Sequence, residues 1–257
     1  MANEISISVS PVESNKIDQK RRTLLKGTAV AGAGIALAPG LHLMGVAAAK
    51  PADQAVTDKV RWGMLIDTSK CDGCSECVTA CNEEHGLKDT GKPETDPKWI
   101  RKLDVKDPQT GHAFSLPLMC QHCETAPCVD VCPTGASFRR DDGIVLVDKH
   151  ICIGCRYCMM ACPYKARSFE HEDVTDQKSY APRGKGTVES CTLCVHRVDE
   201  DGSPACVEAC NADGHQAMTF GDLNDAESDI AQKLKQGGGK QIRADLGLNT
   251  GVRYQGI

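Results

Sequence analysis

The residues able to do chemistry are sixteen cysteines, and all of them lie between Cys71 and Cys210. They fall into four groups of four. Cys71, Cys74, Cys77 and Cys81 follow C-x2-C-x2-C-x3-C, and Cys152, Cys155, Cys158 and Cys162 repeat that spacing. Cys120, Cys123, Cys128 and Cys132 widen the middle gap to four residues, and Cys191, Cys194, Cys206 and Cys210 widen it to eleven. Every group begins C-x2-C and ends C-x3-C. The third group, with Pro163 behind it, fits the run in which three thiolates hold one 4Fe-4S cubane and the fourth reaches a neighbouring one. Three thiolates converging on one small core require the chain to wrap it as a tight loop. Gly73 and Gly154, each just before a second cysteine, suit a turn where a side chain would crowd the core or the local φ. The last cysteine of each group is expected at the start of a short helix, pointing to a different core.

Other uses of sixteen cysteines explain the pattern less well. A disulfide needs two cysteines suitably apart, not four at close repeated intervals, although an even count is compatible with bridges. Structural zinc uses C-x2-C pairs around a longer spacer, without a third cysteine two residues on. Covalent haem needs C-x-x-C-H, but Ser75, Glu124, Arg156 and Val195 follow the four C-x2-C pairs.

The elements that must position these loops are short. Met64 to Asp67 precedes Cys71 as Val145 to Asp148 precedes Cys152, with Asp-x3-Cys in both, so each reads as a strand feeding a ligand loop. The turn Asp141-Asp142-Gly143 makes Ala136 to Arg139 the hairpin partner of the second strand. Groups two and three would form one compact two-cluster unit over about 116–171. Groups one and four would close around it as a split unit over about 60–90 and 185–223, followed by a C-terminal helix and tail over 224–257. The expected class is α+β: two bacterial-ferredoxin-like units, one nested within the other, with short strands, short helices and long loops. The insertion 82–119, with Trp99, either packs over this core or meets a partner. Gly237-Gly238-Gly239 reads as a flexible link after a helix.

With ten aromatic residues in 257, apolar burial alone would organise such a domain thinly. A net charge of −5 argues against nucleic-acid binding as the main activity, and 40% hydrophobic content against disorder. Residues 1–49 differ in composition. Lys20-Arg21-Arg22 opens an uncharged Gly/Ala-rich run that closes with Ala47-Ala48-Ala49, the layout of a cleaved twin-arginine export signal. Retained, the run would be a membrane anchor, but its glycines and Pro39 make it a poor lipid helix. Gly32-Ala33-Gly34 lacks the third glycine of a dinucleotide loop. No other uncharged stretch reaches membrane-spanning length, so membrane contact would go through partners.

The four-group order resembles the four-cluster ferredoxin-like iron-sulfur subunits of the DMSO-reductase and Nrf type. So do Ala126-Pro127-Cys128-Val129, Cys162-Pro163-Tyr164 and Phe220-Gly221-Asp222-Leu223. The leader, the segment Arg61 to Asp67 and the lack of a C-terminal anchor most resemble the DsrO branch, periplasmic iron-sulfur subunits of transmembrane complexes linked to dissimilatory sulfur metabolism. The resemblance implies four 4Fe-4S clusters and their ligands. Cys71, Cys74 and Cys77 would share one with Cys210, and Cys191, Cys194 and Cys206 one with Cys81. Cys120, Cys123 and Cys128 would share one with Cys162, and Cys152, Cys155 and Cys158 one with Cys132. Asn82 and Asn211 depart from the proline that follows the other fourth ligands. It further implies a periplasmic electron-transfer subunit with no substrate site of its own, joining an integral membrane quinone-interacting subunit to a c-type cytochrome. The alternative is an electron-transfer subunit bound directly to a molybdopterin oxidoreductase or a hydrogenase.

Cluster potentials span about −700 to +450 mV, set by charge, hydrogen bonds to sulfur and exposure. Arg156, Lys165 and Arg167 are candidates to raise them, or else are solvated surface charges. His122 and His196 flank ligand cysteines and could donate to a sulfur; with four cysteines in every group, neither is needed as a ligand.

Overall fold

The computed structural model describes residues 56–257, which lie in one compact unit, Ala52–Ile257. The leader-like segment 1–49, with Gly32-Ala33-Gly34, lies outside the described residues. In chain order the elements are β1 (Trp62–Asp67), α1 (Glu76–His85), β2 (Arg101–Lys106), β3 (Ala113–Leu118), α2 (Pro127–Asp130), β4 (Ser137–Arg139), β5 (Val145–Val147) and α3 (Tyr157–Ala161). There follow β6 (Ser168–Phe169), β7 (Val188–Glu189), α4 (Val195–Val198), α5 (Ala205–Ala212), β8 (Met218–Asp222), α6 (Asp229–Gly237) and β9 (Val252–Gln255). The mixed content of short strands and helices agrees with the expected α+β class.

The continuous apolar run Met64-Leu65-Ile66 makes β1 the central strand of the largest sheet, buried on both faces. It runs antiparallel to β8 and parallel to β9, with Met64 opposite both Phe220 and Val252. Two segments noted separately in the sequence, Arg61 to Asp67 and Phe220 to Leu223, are therefore direct partners. Trp62 stacks on Phe220 at 5.1 Å between ring centroids. The C-terminal residues are not an appended tail: α6, capped by the Ser228 hydroxyl, leads back to β9 in this sheet. Gly237-Gly238-Gly239 is not a loose link either. A Cβ at Gly239 would lie 2.4 Å from Leu234 Cδ2, so this is a close-packed turn.

The repeat before groups one and three holds at the level of hydrogen bonds. Asp67 Oδ1 accepts from Ser69 N at 3.1 Å, and Asp148 Oδ1 from His150 N at 2.8 Å, the same side-chain turn at the head of each loop. The β4–β5 hairpin forms with Ser137 opposite Val147. The insertion folds as the β2–β3 hairpin, and it packs on the first cysteine loop: Lys102 Nζ donates to the Gly73 carbonyl. Arg101 Nη2 reaches Tyr164 O beside the third group at 2.7 Å.

Candidate functional site: four cysteine sets

None of the sixteen cysteines is paired in a disulfide. The two glycine turns have left-handed φ, +82° at Gly73 and +67° at Gly154. The fourth cysteines, however, do not open helices. Cys77 and Cys81 both lie within α1, Cys206 and Cys210 within α5, and Cys162 directly ends α3, which contains Cys158. The cause is the C-x3-C spacing: residues four apart stand one above the other on a helix face, so one turn presents its two thiols side by side.

The structure brings thiols of different groups together. Burial pushes Cys77 up to about 12, reinforced by the negative charge that Cys71, Cys74 and Cys210 would carry beside it. Cys81, raised by burial, sits among Cys191, Cys206 and Cys194. Burial likewise pushes Cys123 up to about 12, with Cys120, Cys128 and Cys162 as its neighbours. These last four line one pocket, together with Val145, Tyr164 and Arg167. Cys152, Cys155 and Cys158 follow one another into α3, and Cys132 follows α2, which packs on α3. Cys132 differs from the buried thiols. Although burial acts to raise it, hydrogen bonds from the Ser137 amide at 3.3 Å and from Thr134 bring it down to about 7.

The thiols whose charges reach across groups give the implied sets an order. Cys77 acts on Cys81 and Cys206, Cys120 on Cys191, and Cys158 on Cys128. Burial follows the same order. In the two middle sets every cysteine is buried, whereas Cys71 and Cys74 at one end and Cys132 and Cys152 at the other are half-buried, and Cys155 is exposed.

The sulfurs accept bonds from a small group of donors. Arg167 Nη2 donates to Cys128 Sγ at 3.1 Å, Leu193 N to Cys191 Sγ at 3.4 Å and Val188 N to Cys152 Sγ at 3.5 Å. His85 Nε2 lies 3.4 Å from Cys194 Sγ; burial pushes this imidazole down to about 4, so it is neutral at pH 7. Trp99 from the insertion packs on His85 with ring centroids 4.4 Å apart. Sequence reasoning missed His85, although its place one turn beyond Cys81 on the same helix was the available signal. The two histidines it did single out serve the scaffold. His122 Nδ1 accepts from Val145 N at 3.0 Å, and His196 Nε2 engages Glu84 at 2.7 Å while its ring stacks on Tyr180. Of the three basic candidates, Arg156 lies over the Phe169 ring, Lys165 is exposed and Arg167 alone is buried against sulfur.

This donor set fits iron-sulfur clusters: soft thiolate sulfur in fours, a cysteine-walled cavity, and N–H donors aimed at sulfur. Two family models, each described as a 4Fe-4S dicluster domain, match residues 70–136 and 112–223. The Hdr-like menaquinol oxidoreductase iron-sulfur subunit 1 of Archaeoglobus fulgidus is 40% identical over 262 residues, covering 91% of this chain and 97% of that protein. A tetrathionate reductase subunit of Salmonella typhimurium is 35% identical, covering 94% and 90%. Protein NrfC of Escherichia coli is 40% identical, covering 69% and 72%. The chain carries four 4Fe-4S clusters, two for each dicluster domain. It belongs to the family of four-cluster ferredoxin-like iron-sulfur subunits of the DMSO-reductase and Nrf type, the electron-transfer subunits of oxidoreductase complexes.

Proposed function

We propose that this chain is a periplasmic subunit that passes single electrons between a membrane quinone-interacting subunit and a c-type cytochrome in a sulfur-metabolism redox complex, without a substrate site of its own. The twin-arginine leader would carry it across the membrane already folded. Its ligand sets are Cys71, Cys74, Cys77 and Cys210; Cys81, Cys191, Cys194 and Cys206; Cys120, Cys123, Cys128 and Cys162; and Cys132, Cys152, Cys155 and Cys158. The inner two-cluster unit, about 116–171, nests within the split outer one. A cubane so held gains or loses one electron with little movement of its ligands.

The observation that carries this reading is the row of four sets with buried middles and accessible ends. A chain that only bound clusters for stability would have no need of two exposed termini to the row. The ends differ in chemistry. Ile151, Ile153, Tyr157 and Met160, next to Cys152, Cys155 and Cys158, are large apolar side chains left exposed, Ile153 and Met160 by 66% each. Such a patch fits a permanent apolar partner, here the membrane subunit. At the other end Asp72, Asp213 and His215 stand around Cys74, a polar rim suited to a transient soluble partner. The name of the menaquinol oxidoreductase subunit supports a quinone-linked role.

Relatives named as subunits of tetrathionate reductase and sulfite dehydrogenase favour the second reading, direct attachment to a catalytic molybdopterin oxidoreductase or a hydrogenase. Affinity purification from solubilised membranes, with haem staining and metal analysis of what co-purifies, decides. A haem-staining protein and a membrane subunit are expected. A molybdenum-containing partner without either overturns the favoured version.

A further inference from the structure

Arg167 is the one candidate basic residue that the fold carries into the interior, at 5% exposure. A guanidinium there needs compensation, since an isolated buried charge costs several kcal/mol. Its Nη1 donates to Ser137 Oγ at 2.8 Å and its Nη2 to Cys128 Sγ at 3.1 Å. The charges that act most strongly on it are the sulfurs of Cys128, Cys120 and Cys158. Cys128 and Cys120 belong to the third set of the row and Cys158 to the fourth. Ser137 completes the link, because its amide donates to Cys132 Sγ at 3.3 Å while its hydroxyl holds Arg167. An unbroken path therefore runs from Cys128 through Arg167 and Ser137 to Cys132. The position arises from the chain: Arg167 lies five residues beyond Cys162 and just before β6, and Ser137 opens β4, five residues beyond Cys132.

We infer that Arg167, oriented by Ser137, is the shared counter-charge of the two cysteine sets of the inner unit, the third and fourth of the row, and holds both of their reduction potentials up. The inference rests on the ligand sets proposed above. Adding an electron makes each centre more negative, and a fixed cation beside its sulfurs favours that state in a medium of low dielectric. One cation serving two centres raises both together, so that neither is lifted at the expense of the other. Arg156 is the contrasting case. It is nearer to ligands in sequence, between Cys155 and Cys158, but it is exposed and stacked on Phe169 at 3.8 Å, where water screens it.

The test is EPR-monitored redox titration of the purified, fully loaded protein, with iron and sulfide counted on each preparation. Cys128→Ser and Cys158→Ser variants assign the inner signals by the ones they alter. Arg167→Gln is expected to make reduction of both inner centres at least tenfold less favourable, a fall of ~59 mV in each one-electron midpoint. The first two centres of the row should stay in place, and Arg156→Gln should move none. Unmoved inner midpoints in loaded Arg167→Gln, or larger shifts from Arg156→Gln, overturn the inference. Should Arg167→Gln come out short of iron, Ser137→Ala decides: a smaller fall in both inner midpoints supports the linkage, and unchanged midpoints overturn it. Failure of the ligand reading would show differently, as cysteine variants that alter the wrong signals in the wild-type background.

Discussion

The two glycines that begin the ligand turns look alike in sequence, but the structure predicts unequal consequences for replacing them. Both have left-handed φ, so an alanine at either costs about 1–2 kcal/mol from backbone strain. Their surroundings differ. At Gly73 the new methyl group would meet the Ser115 hydroxyl at 2.6 Å, and a rotation of that side chain clears it at the expense of its exposed bond to Asp104, ~0.5–1.5 kcal/mol. At Gly154 it would lie 2.2 Å from the Gly186 carbonyl oxygen and 3.2 Å from Phe169. Nothing there rotates away. The backbone at Gly186 would have to retreat by about 1 Å to reach ordinary contact. It is held by the bond from Gly186 N to Glu170 O at 2.8 Å, and two residues on, Val188 N donates to Cys152 Sγ. Losing these adds ~1–3 kcal/mol. Gly154→Ala is therefore expected to cost about 2–5 kcal/mol against about 1.5–3.5 for Gly73→Ala, and to strike the Cys152 end of the row. Iron content and the EPR signal of that centre, measured beside thermal inactivation, check it. Equal iron loading and equal half-lives in the two variants, or greater damage from Gly73→Ala, would refute the reasoning.

Arg183 forks onto Glu189 with two bonds of 2.8 Å, also pairs with Glu170, and donates to the Gly86 carbonyl at the end of α1. Arg183→Met should lose ~3–5 kcal/mol by stranding two buried carboxylates, and adding Glu189→Gln should recover part of it in a double-mutant cycle of thermal stability. Met160→Glu places a charge in the apolar end of the row and should abolish co-purification with the membrane subunit while leaving the iron count unchanged. Tyr254→Phe removes the hydroxyl that donates to Pro117 O at 3.1 Å and accepts from Gln121 at 3.0 Å, on either side of Cys120; a loss of ~1–3 kcal/mol in stability is expected from thermal denaturation.

Local signals were legible and long-range ones were not. The turns at Gly73 and Gly154, the β4–β5 hairpin and strand β1 follow from residue types within ten positions of one another. Strand β9 does not, because Val252 to Gln255 becomes a strand only by pairing with β1, almost two hundred residues earlier. Which part of the core the insertion covers was not legible, since its contact with the Gly73 loop runs through two side chains, Lys102 and Ser115. Arg156 and Arg167 were equivalent on charge alone. Burial separates them, and burial is settled by where β6 carries the chain after Cys162. The helical position of the fourth cysteines was in principle readable, since C-x3-C is the spacing of one helical turn.

That spacing also explains how so short a chain lines up four sets in order. With the ligand sets proposed above, Cys77 and Cys81, like Cys206 and Cys210, put one turn of helix between the first set and the second. Cys128 and Cys132, like Cys158 and Cys162, put one turn between the third and the fourth. These junctions are covalent and doubled, so their geometry is insensitive to packing elsewhere. The middle junction has no such turn. Cys191 lies close enough to Cys120 to feel its charge, and the segment 117–123 is pinned by the C-terminal strand, through Tyr254 to Pro117 and Gln121 and through Gly251 N to Gln121 O at 2.8 Å. Tyr254 and Val252 are wholly buried at this point. Strand β9 therefore does more than close a sheet: it holds the segment that carries Cys120 at the junction that the cysteine spacing leaves free.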